Sequence, residues 1–192
     1  FVDGEKVDEF VGALPEPKVV DWLRTAIPSK YIAQLAGARH LLTENRISSA
    51  IEMLQPILAD EPSNDEATVL LGQAFLGSDH RQAQEIVDIV DIGSKHYEAA
   101  EAVKTLATVL GRLDNVHQLG ESSVRDAYVA AIRDVRSCAY QSAVEGFLDV
   151  VRRDRQYDKD GARKMIIAIF KLLGEDHSLT RKYRRALSSA LH

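Results

Sequence analysis

Apolar residues recur every three or four positions from Ser29 to the end of the chain. The clearest stripes lie within residues 47–58, 165–173 and 179–191. This spacing is typical of amphipathic helices, and no stretch beyond Ser29 alternates between apolar and polar residues as a half-buried strand does. The pattern predicts a mainly α chain with about nine or ten helices over residues 29–192.

The predicted helices repeat in pairs. Ala38 and Leu41 precede Gly72 and Phe75 by 34 residues, which is the period of tetratricopeptide repeats. Small residues at such positions let two helices approach closely, and large residues fill the groove between them. The sequence therefore predicts at least two helical pairs of similar construction.

A third unit of the same kind contains Ala131, Ala143 and Phe147, whereas residues 96–119 match the pattern poorly. Three partial matches in order favour an α-solenoid of tetratricopeptide-like repeats. An irregular helix bundle is the alternative, because many helical pairs have similar lengths. The spacing Ser63-x-x-Glu66 has the form of a capping box and predicts the start of a helix.

Residues 1–28 follow a different pattern. Short apolar runs on both sides of Asp3-Gly4 indicate two strands joined by a tight turn, and Pro15 then opens a predicted helix. A single hairpin with one helix is not stable alone, so this piece belongs to a larger sheet or packs on the helical part. We predict two domains, residues 1–28 and residues 29–192.

Composition and charge narrow the function. The single cysteine, Cys138, excludes a disulfide framework and favours a reducing, cytoplasmic compartment. The net charge of −5 argues against nucleic acid as the main partner. Residues 141–192 nevertheless hold 11 Lys and Arg against 7 Asp and Glu. No apolar run approaches the ~20 residues that span a bilayer, so we expect no membrane partner.

No pattern of residues marks an active site. The six histidines lack the i, i+4 spacing of a helical metal site, and neither a phosphate loop nor a nucleophile elbow is present. Cys138 is either a redox-sensitive thiol or a small, half-buried residue between paired helices. The second interpretation is favoured because no other cysteine lies nearby. We expect no catalytic residue, metal or cofactor.

Two basic segments are candidate binding surfaces. The first is a cluster whose members are Arg152, Arg153, Arg155, Arg163 and Lys164. Interleaved aspartates favour ion pairs between helices over a patch for an acidic partner. The second is the last predicted helix, whose candidate docking residues are Leu179, Tyr183, Arg184, Leu187 and Leu191. Such a helix either covers the last repeat or lies in a partner's groove.

Motifs at both ends of the chain carry a family resemblance. Residues 1–27 have the order strand, Asp-Gly, strand, Val-Gly-Ala and helix, which is similar to the end of a thioredoxin fold. Residues 152–187 contain Arg152-Arg153-Asp154-Arg155, Asp160-Gly161-Ala162-Arg163-Lys164 and Tyr183-Arg184-Arg185-x-Leu187. With repeats between them, the chain resembles the chaperedoxins, bacterial proteins of the CnoX/YbbN type in which a thioredoxin domain precedes tetratricopeptide repeats.

The resemblance implies a co-chaperone that holds unfolded or oxidation-sensitive clients without ATP. It also implies docking on a GroEL-type chaperonin through the C-terminal helix, with Leu179 and Tyr183 capping the last repeat and Leu187 and Leu191 reaching the partner. Residues 1–28 would then end a thioredoxin domain whose Cys-x-x-Cys lies upstream. The alternative is a repeat domain that selects substrates for such a thiol–disulfide oxidoreductase. In either case this chain itself would not be an enzyme.

Overall fold

The computed structural model describes residues 29–191, together with residues 9, 12, 13, 15, 16, 18, 19 and 22. No strand occurs among these described residues. The predicted hairpin falls on residues 1–12, which lie outside the described part apart from Glu9 and Gly12, and neither of these two is in a strand. The helix predicted from Pro15 is partly described, because Val19 N donates to Pro15 O at 3.1 Å.

Nine α-helices and one 3₁₀ helix follow within residues 29–191, in agreement with the predicted nine or ten. They are α1 (Ile32–Thr43), α2 (Ile47–Asp60), α3 (Asp65–Phe75), α4 (His80–Val87), α5 (Tyr97–Leu110), the 3₁₀ helix (Gly111–Gln118), α6 (Arg125–Arg136), α7 (Tyr140–Arg153), α8 (Tyr157–Leu173) and α9 (Ser178–Ala190).

Each of the first five helices packs against the next helix along the chain. Helix α1 packs against α2 and α3, α2 against α3, α3 against α4 and α5, and α4 against α5. Gly72 makes the second pair possible, because a Cβ there would lie 2.4 Å from Val87 Cγ1. The 34-residue period seen in the sequence therefore corresponds to two stacked helical pairs, α1/α2 and α3/α4.

The third pair, α6/α7, reproduces α1/α2 with an offset of 93 residues at both ends of both helices. The turns within the two pairs also share their backbone conformation. Asn45 and Cys138 are both left-handed, with φ of 58° and 59°. Each donates its N–H to the carbonyl three residues earlier, Leu42 or Val135, as in a Schellman motif.

Helix α5 explains the poor match of residues 96–119 to the repeat pattern. A 3₁₀ helix follows it in place of a second α-helix, so this segment forms no pair of its own. Instead, α5 packs along α8, and Lys171 Nζ on α8 lies 2.9 Å from Glu98 Oε2 on α5. In a strictly sequential solenoid each helix contacts only its neighbours along the chain. The contact between α5 and α8 is therefore an exception to that arrangement.

The start of α3 differs by one residue from the sequence prediction. The N-cap is Asn64, whose side chain accepts a hydrogen bond from Ala67 N at 3.0 Å. Its amide nitrogen also donates to Ser29 Oγ at 3.2 Å and to Glu61 Oε2 at 2.8 Å. A carboxamide can cap and donate at once, whereas the hydroxyl of the preceding Ser63 is exposed.

Candidate protein-binding surface

The apolar stripe of α9 faces the protein interior. The side chains of Tyr183 and Leu187 are each 7 % exposed, and Leu179 and Leu191 are half-buried against the same core. Tyr183 also donates a hydrogen bond from its hydroxyl to Glu145 on α7. Helix α9 therefore covers α7 and α8, which is the capping role required at the end of a repeat array.

This placement differs from the expectation that Leu187 and Leu191 reach outward, because Leu187 is buried and Leu191 is half-buried, and contact of either residue with a partner stays a prediction. Leu187 falls one turn after Tyr183, on the same face, so both enter the groove beside α7 and α8. Leu191 follows the last turn and still touches the core. Tyr183 and Leu187 are thus covered and Leu191 is covered in part, so the surface of α9 that is open to a partner is mainly its polar face.

Four cations form that polar face. The exposed residues are Arg181, Lys182, Arg184 and Arg185. Arg184 pairs with Glu175 in the preceding loop, and Lys182 Nζ lies 4.6 Å from the centre of the Tyr183 ring. Arg181 and Arg185 have no ion-pair partner among the described residues. The open side of α9 is therefore cationic and largely uncompensated.

The basic cluster around α7 and α8 is divided between structural and free cations. Arg153 pairs with Asp149 at 2.8 Å and donates to Ser123 O at 2.7 Å, and Arg163 pairs with Asp160. Arg155 Nη1 donates to Leu191 O at 3.4 Å, which brings this cluster to the end of α9. Arg152 and Lys164 are exposed, and neither forms an ion pair within the described part of the chain.

Cys138 lies in the turn between α6 and α7 and is half-buried. Burial raises the pKa of its thiol, and a hydrogen bond with Tyr140 offsets this shift only in part. A raised pKa keeps the sulfur protonated at neutral pH, and thiolates rather than thiols are the nucleophiles. The environment therefore does not favour thiol chemistry at this residue.

Cys138 also lines a cavity of about 190 Å³ at a seam of the fold. The seam brings together the ends of α1, α3 and α8, the α6–α7 turn, and the starts of α7 and α9. The lining residues are Leu42, Thr43, Asn45, Gln73, Cys138, Tyr140, Gln141, Leu173, His177 and Leu179. Only Cys138 and Leu179 among them are candidate site residues by sequence, since no local motif connects residues so far apart in the chain.

A second cavity, of about 270 Å³, lies where the α3–α4 turn meets the end of α6. Its charges largely satisfy one another. Asp114 lies 3.5 Å from His80 and 3.7 Å from Arg81, and Arg136 Nε donates to Gly77 O at 3.4 Å. This arrangement fixes α6 to the α3–α4 turn and leaves little uncompensated charge for a ligand.

A polar cluster at the start of α8 was also missed from the sequence. Three consecutive residues, Asp158, Lys159 and Asp160, have φ of 45° to 63°. The Tyr128 hydroxyl donates to Asp158 Oδ2 at 2.9 Å, and Arg112 lies 3.4 Å from the other carboxylate oxygen. Burial raises the pKa of Tyr128, so its hydroxyl remains a donor. The cluster holds α6, the 3₁₀ helix and α8 together.

Neither a metal site nor a membrane span emerges from the described residues. No three of their His, Cys, Asp or Glu side chains are grouped in a way that could hold a metal ion. None of the helices in that part of the chain has the length and apolar character needed to cross a bilayer.

The repeat architecture agrees with a comparison to protein families. Residues 121–192 match the family model described as tetratricopeptide repeat. This segment contains α6 to α9. It begins just before the helical pair α6/α7, which reproduces α1/α2. A search of curated proteins found no match. The chain is thus a helical-repeat protein whose C-terminal part is similar to tetratricopeptide repeats, and such repeats generally mediate protein–protein interaction.

Proposed function

We propose that this chain is a non-enzymatic, protein-binding co-chaperone module. In this proposal it holds unfolded clients without ATP and docks on a GroEL-type chaperonin through α9. The tetratricopeptide match supports protein binding, and the resemblance of residues 152–187 to chaperedoxins supports the nature of the partners. The observation that carries the docking part is the cationic face of α9, with its apolar stripe buried beneath it.

A buried stripe changes the expected chemistry of docking. Because Tyr183 and Leu187 hold α9 on the core, the partner must recognise the exposed guanidinium and ammonium groups instead. Recognition through such groups favours a surface with carboxylates and gives an association rate that falls as the salt concentration rises. Arg181 and Arg185 are best placed for this role, since no ion pair among the described residues occupies them.

Charge reversal tests the docking proposal without removing α9. We expect Arg181→Glu combined with Arg185→Glu to weaken binding to a purified GroEL-type chaperonin by about tenfold or more, equivalent to about 1.4 kcal/mol. Surface plasmon resonance at several salt concentrations is the measurement. Deleting residues 178–192 would be less informative, because it would uncover the core beneath Tyr183 and Leu187.

The matched control is Lys95→Glu combined with Arg133→Glu. Both residues are exposed, neither forms an ion pair within the described part of the chain, and the change in net charge is the same. If both double variants weakened chaperonin binding equally, the weakening would come from the change in net charge and not from the face of α9. Unchanged binding by the α9 variant would remove α9 as the docking surface.

Client holding requires apolar surface that unfolded chains can contact. The large apolar side chains that are exposed include Ile89 and Ile92, at 70 % and 78 %, in the loop after α4. We expect Ile89→Ser combined with Ile92→Ser to reduce suppression of client aggregation, measured by light scattering at equimolar amounts. Stability should change by less than about 0.5 kcal/mol, because both side chains are exposed. A wild-type chain that does not suppress aggregation would contradict client holding.

A further inference from the structure

The cavity of about 190 Å³ next to Cys138 has a lining unlike the rest of the surface. None of the described residues around it is Asp, Glu, Lys or Arg, although 28 % of the chain is charged. His177 Nδ1 accepts a hydrogen bond from Leu179 N at 3.3 Å, so in the neutral imidazole Nε2 carries the proton and acts as a donor. The lining therefore favours an uncharged group over phosphate, carboxylate or a metal ion.

The polar groups at this cavity match the hydrogen-bonding pattern of a peptide. Asn45, Gln73 and Gln141 each provide a carboxamide. Gln141 Nε2 already donates to Glu145 Oε1 at 3.2 Å and Gln73 is hydrogen-bonded to Tyr140, but each of these amides keeps a further N–H donor and acceptor capacity on its carbonyl oxygen. A peptide group likewise has one N–H donor and one C=O acceptor, and in an extended chain these groups have no internal partners. Three carboxamides around one opening can therefore bind the backbone of an extended segment.

The apolar part of the lining provides space for a side chain. Leu42, Leu173 and Leu179 come from α1, α8 and α9. The volume corresponds to about six water molecules at ~30 Å³ each, and sites for whole small-molecule ligands are usually ~300 Å³ or more. The cavity is thus too small for a cofactor-sized molecule and suits one aliphatic side chain of a longer ligand.

We propose that this cavity binds an extended, uncharged polypeptide segment, with one aliphatic side chain inserted and the flanking peptide groups hydrogen-bonded to the carboxamides. The inference rests on the proposed client binding and names the site and the chemistry of that client. Binding at the seam also engages α1 and α9 together, so an occupied cavity links the first repeat to the capping helix.

Protection of Cys138 from alkylation tests the proposal, because the chain has only this cysteine and its side chain lines the cavity. The probe is N-acetyl-leucine-methylamide, which has an aliphatic side chain, two peptide groups and no charge. Mass spectrometry follows the alkylation of the full chain by iodoacetamide at one constant alkaline pH, because the raised pKa of Cys138 makes its thiol react slowly at neutral pH. At a probe concentration of about ten times its Kd, we expect the rate to fall about tenfold.

The comparison probe is N-acetyl-glycine-methylamide, which offers the same peptide groups without a side chain. It should protect at least several-fold less than the leucine probe at equal concentration. Equal protection by both probes, or protection by neither, would overturn the proposal. The alkylation experiment uses no client protein, so its outcome is distinguishable from a failure of client holding in the aggregation assay.

A pair of variants checks that protection occurs inside the cavity. Gln141→Trp places a large ring at the opening, and Gln141 is exposed, so the fold should tolerate the change. The matched control is Gln55→Trp on α2, at an exposed position outside the cavity lining. We expect the leucine probe to protect Cys138 in the Gln55 variant and to lose this effect in the Gln141 variant. Retained protection in the Gln141 variant would overturn the assignment to this cavity.

Discussion

The hydroxyl of Ser29 makes the same two hydrogen bonds as the hydroxyl of Ser122, 93 residues later. Each accepts from the N–H two residues further on, and each donates to a carboxylate 32 residues further on. The carboxylates are Glu61 and Asp154, which follow the last turns of α2 and α7. One serine and one acidic residue therefore tie both ends of each helical pair together.

The two shared bonds predict similar energetic roles for the two serines, although Ser29 Oγ also accepts a hydrogen bond from Asn64 Nδ2 at 3.2 Å. We expect Ser29→Ala and Ser122→Ala each to lower the free energy of unfolding by about 1 kcal/mol, the usual net contribution of a partly buried hydrogen bond. Urea denaturation followed by circular dichroism is the measurement. Ser63→Ala is the control and should change stability by less than about 0.5 kcal/mol, because its side chain is exposed. A loss in only one of the two variants would contradict the equivalence.

The sequence could predict the helices and the first two pairs, but not this longer relationship. Helical spacing identified nearly every helix, and the 34-residue period joined Ala38 to Gly72. Few residues are identical between the two pairs at the 93-residue offset, although Ser29 and Ser122 are. Core residues differ as well, since Tyr128 stands at the position of Leu35 and Phe147 at that of Leu54. Packing requires similar volumes and burial at these positions, not identical residues.

The candidate sites were less predictable than the helices. Amphipathic spacing located the stripe of α9, but it cannot tell whether Leu187 covers a core or faces a partner. The cavity at the seam combines side chains from Leu42 to Leu179, and a single sequence contains no information about which distant segments meet. The left-handed turn at Asp158 was also invisible, because no glycine marks its three residues.

Gly161 and Tyr128 should be energetically coupled. A Cβ at Gly161 would lie 2.3 Å from the Tyr128 hydroxyl oxygen and 3.1 Å from Cζ. Gly161→Ala should therefore destabilise the protein by about 1–3 kcal/mol through overpacking. Tyr128→Phe removes the hydroxyl together with its hydrogen bond to Asp158, which should cost about 1–3 kcal/mol by itself.

In the double variant the alanine Cβ no longer meets the hydroxyl. We expect the loss for Gly161→Ala combined with Tyr128→Phe to be smaller than the sum of the two single losses by at least about 0.5 kcal/mol, the range of coupling for residues in contact. A double-mutant cycle of chemical denaturation measures this difference. Additive losses would mean that the close approach of Gly161 to Tyr128 does not limit packing.

The left-handed turn at the start of α8 predicts that glycine will have opposite effects on stability at Lys159 and at Lys164. Lys159 has φ of 57° and an exposed side chain, and this conformation costs roughly 1–2 kcal/mol for a residue with a Cβ. Lys159→Gly should therefore stabilise the protein by up to about 1 kcal/mol, after the greater freedom of glycine in the unfolded chain is subtracted.

Lys164 provides the matched control, because it is also exposed but lies within the regular part of α8. Lys164→Gly should destabilise by about 1 kcal/mol, the usual cost of glycine inside a helix. Thermal denaturation of both variants is sufficient for the comparison. Destabilisation by both glycines would show that residue 159 does not need the left-handed conformation.

His96 makes stability depend on pH near neutrality. It precedes α5 and is half-buried, and this burial lowers the pKa of its imidazole below the ordinary value. Glu66, whose Oε2 lies 3.8 Å from His96 Nε2, and Asp65 oppose the shift, whereas Lys95 and Arg39 add to it. The folded protein therefore resists protonation of His96 at a pH where the unfolded chain accepts the proton.

Stability should consequently fall as the pH decreases through about 6.5, the pKa of an unperturbed histidine, since the unfolded state then binds more protons than the folded state. His96→Gln removes this contribution, so the free energy of unfolding of that variant should fall less than that of the wild type between about pH 7.5 and about pH 5.5. His117→Gln, at an exposed histidine, should retain the wild-type dependence. Urea denaturation at each pH measures all three proteins. If the His96 variant and the wild type lose equal stability over this range, burial of His96 does not cause the loss of stability at low pH. The protons must then be taken up elsewhere in the chain.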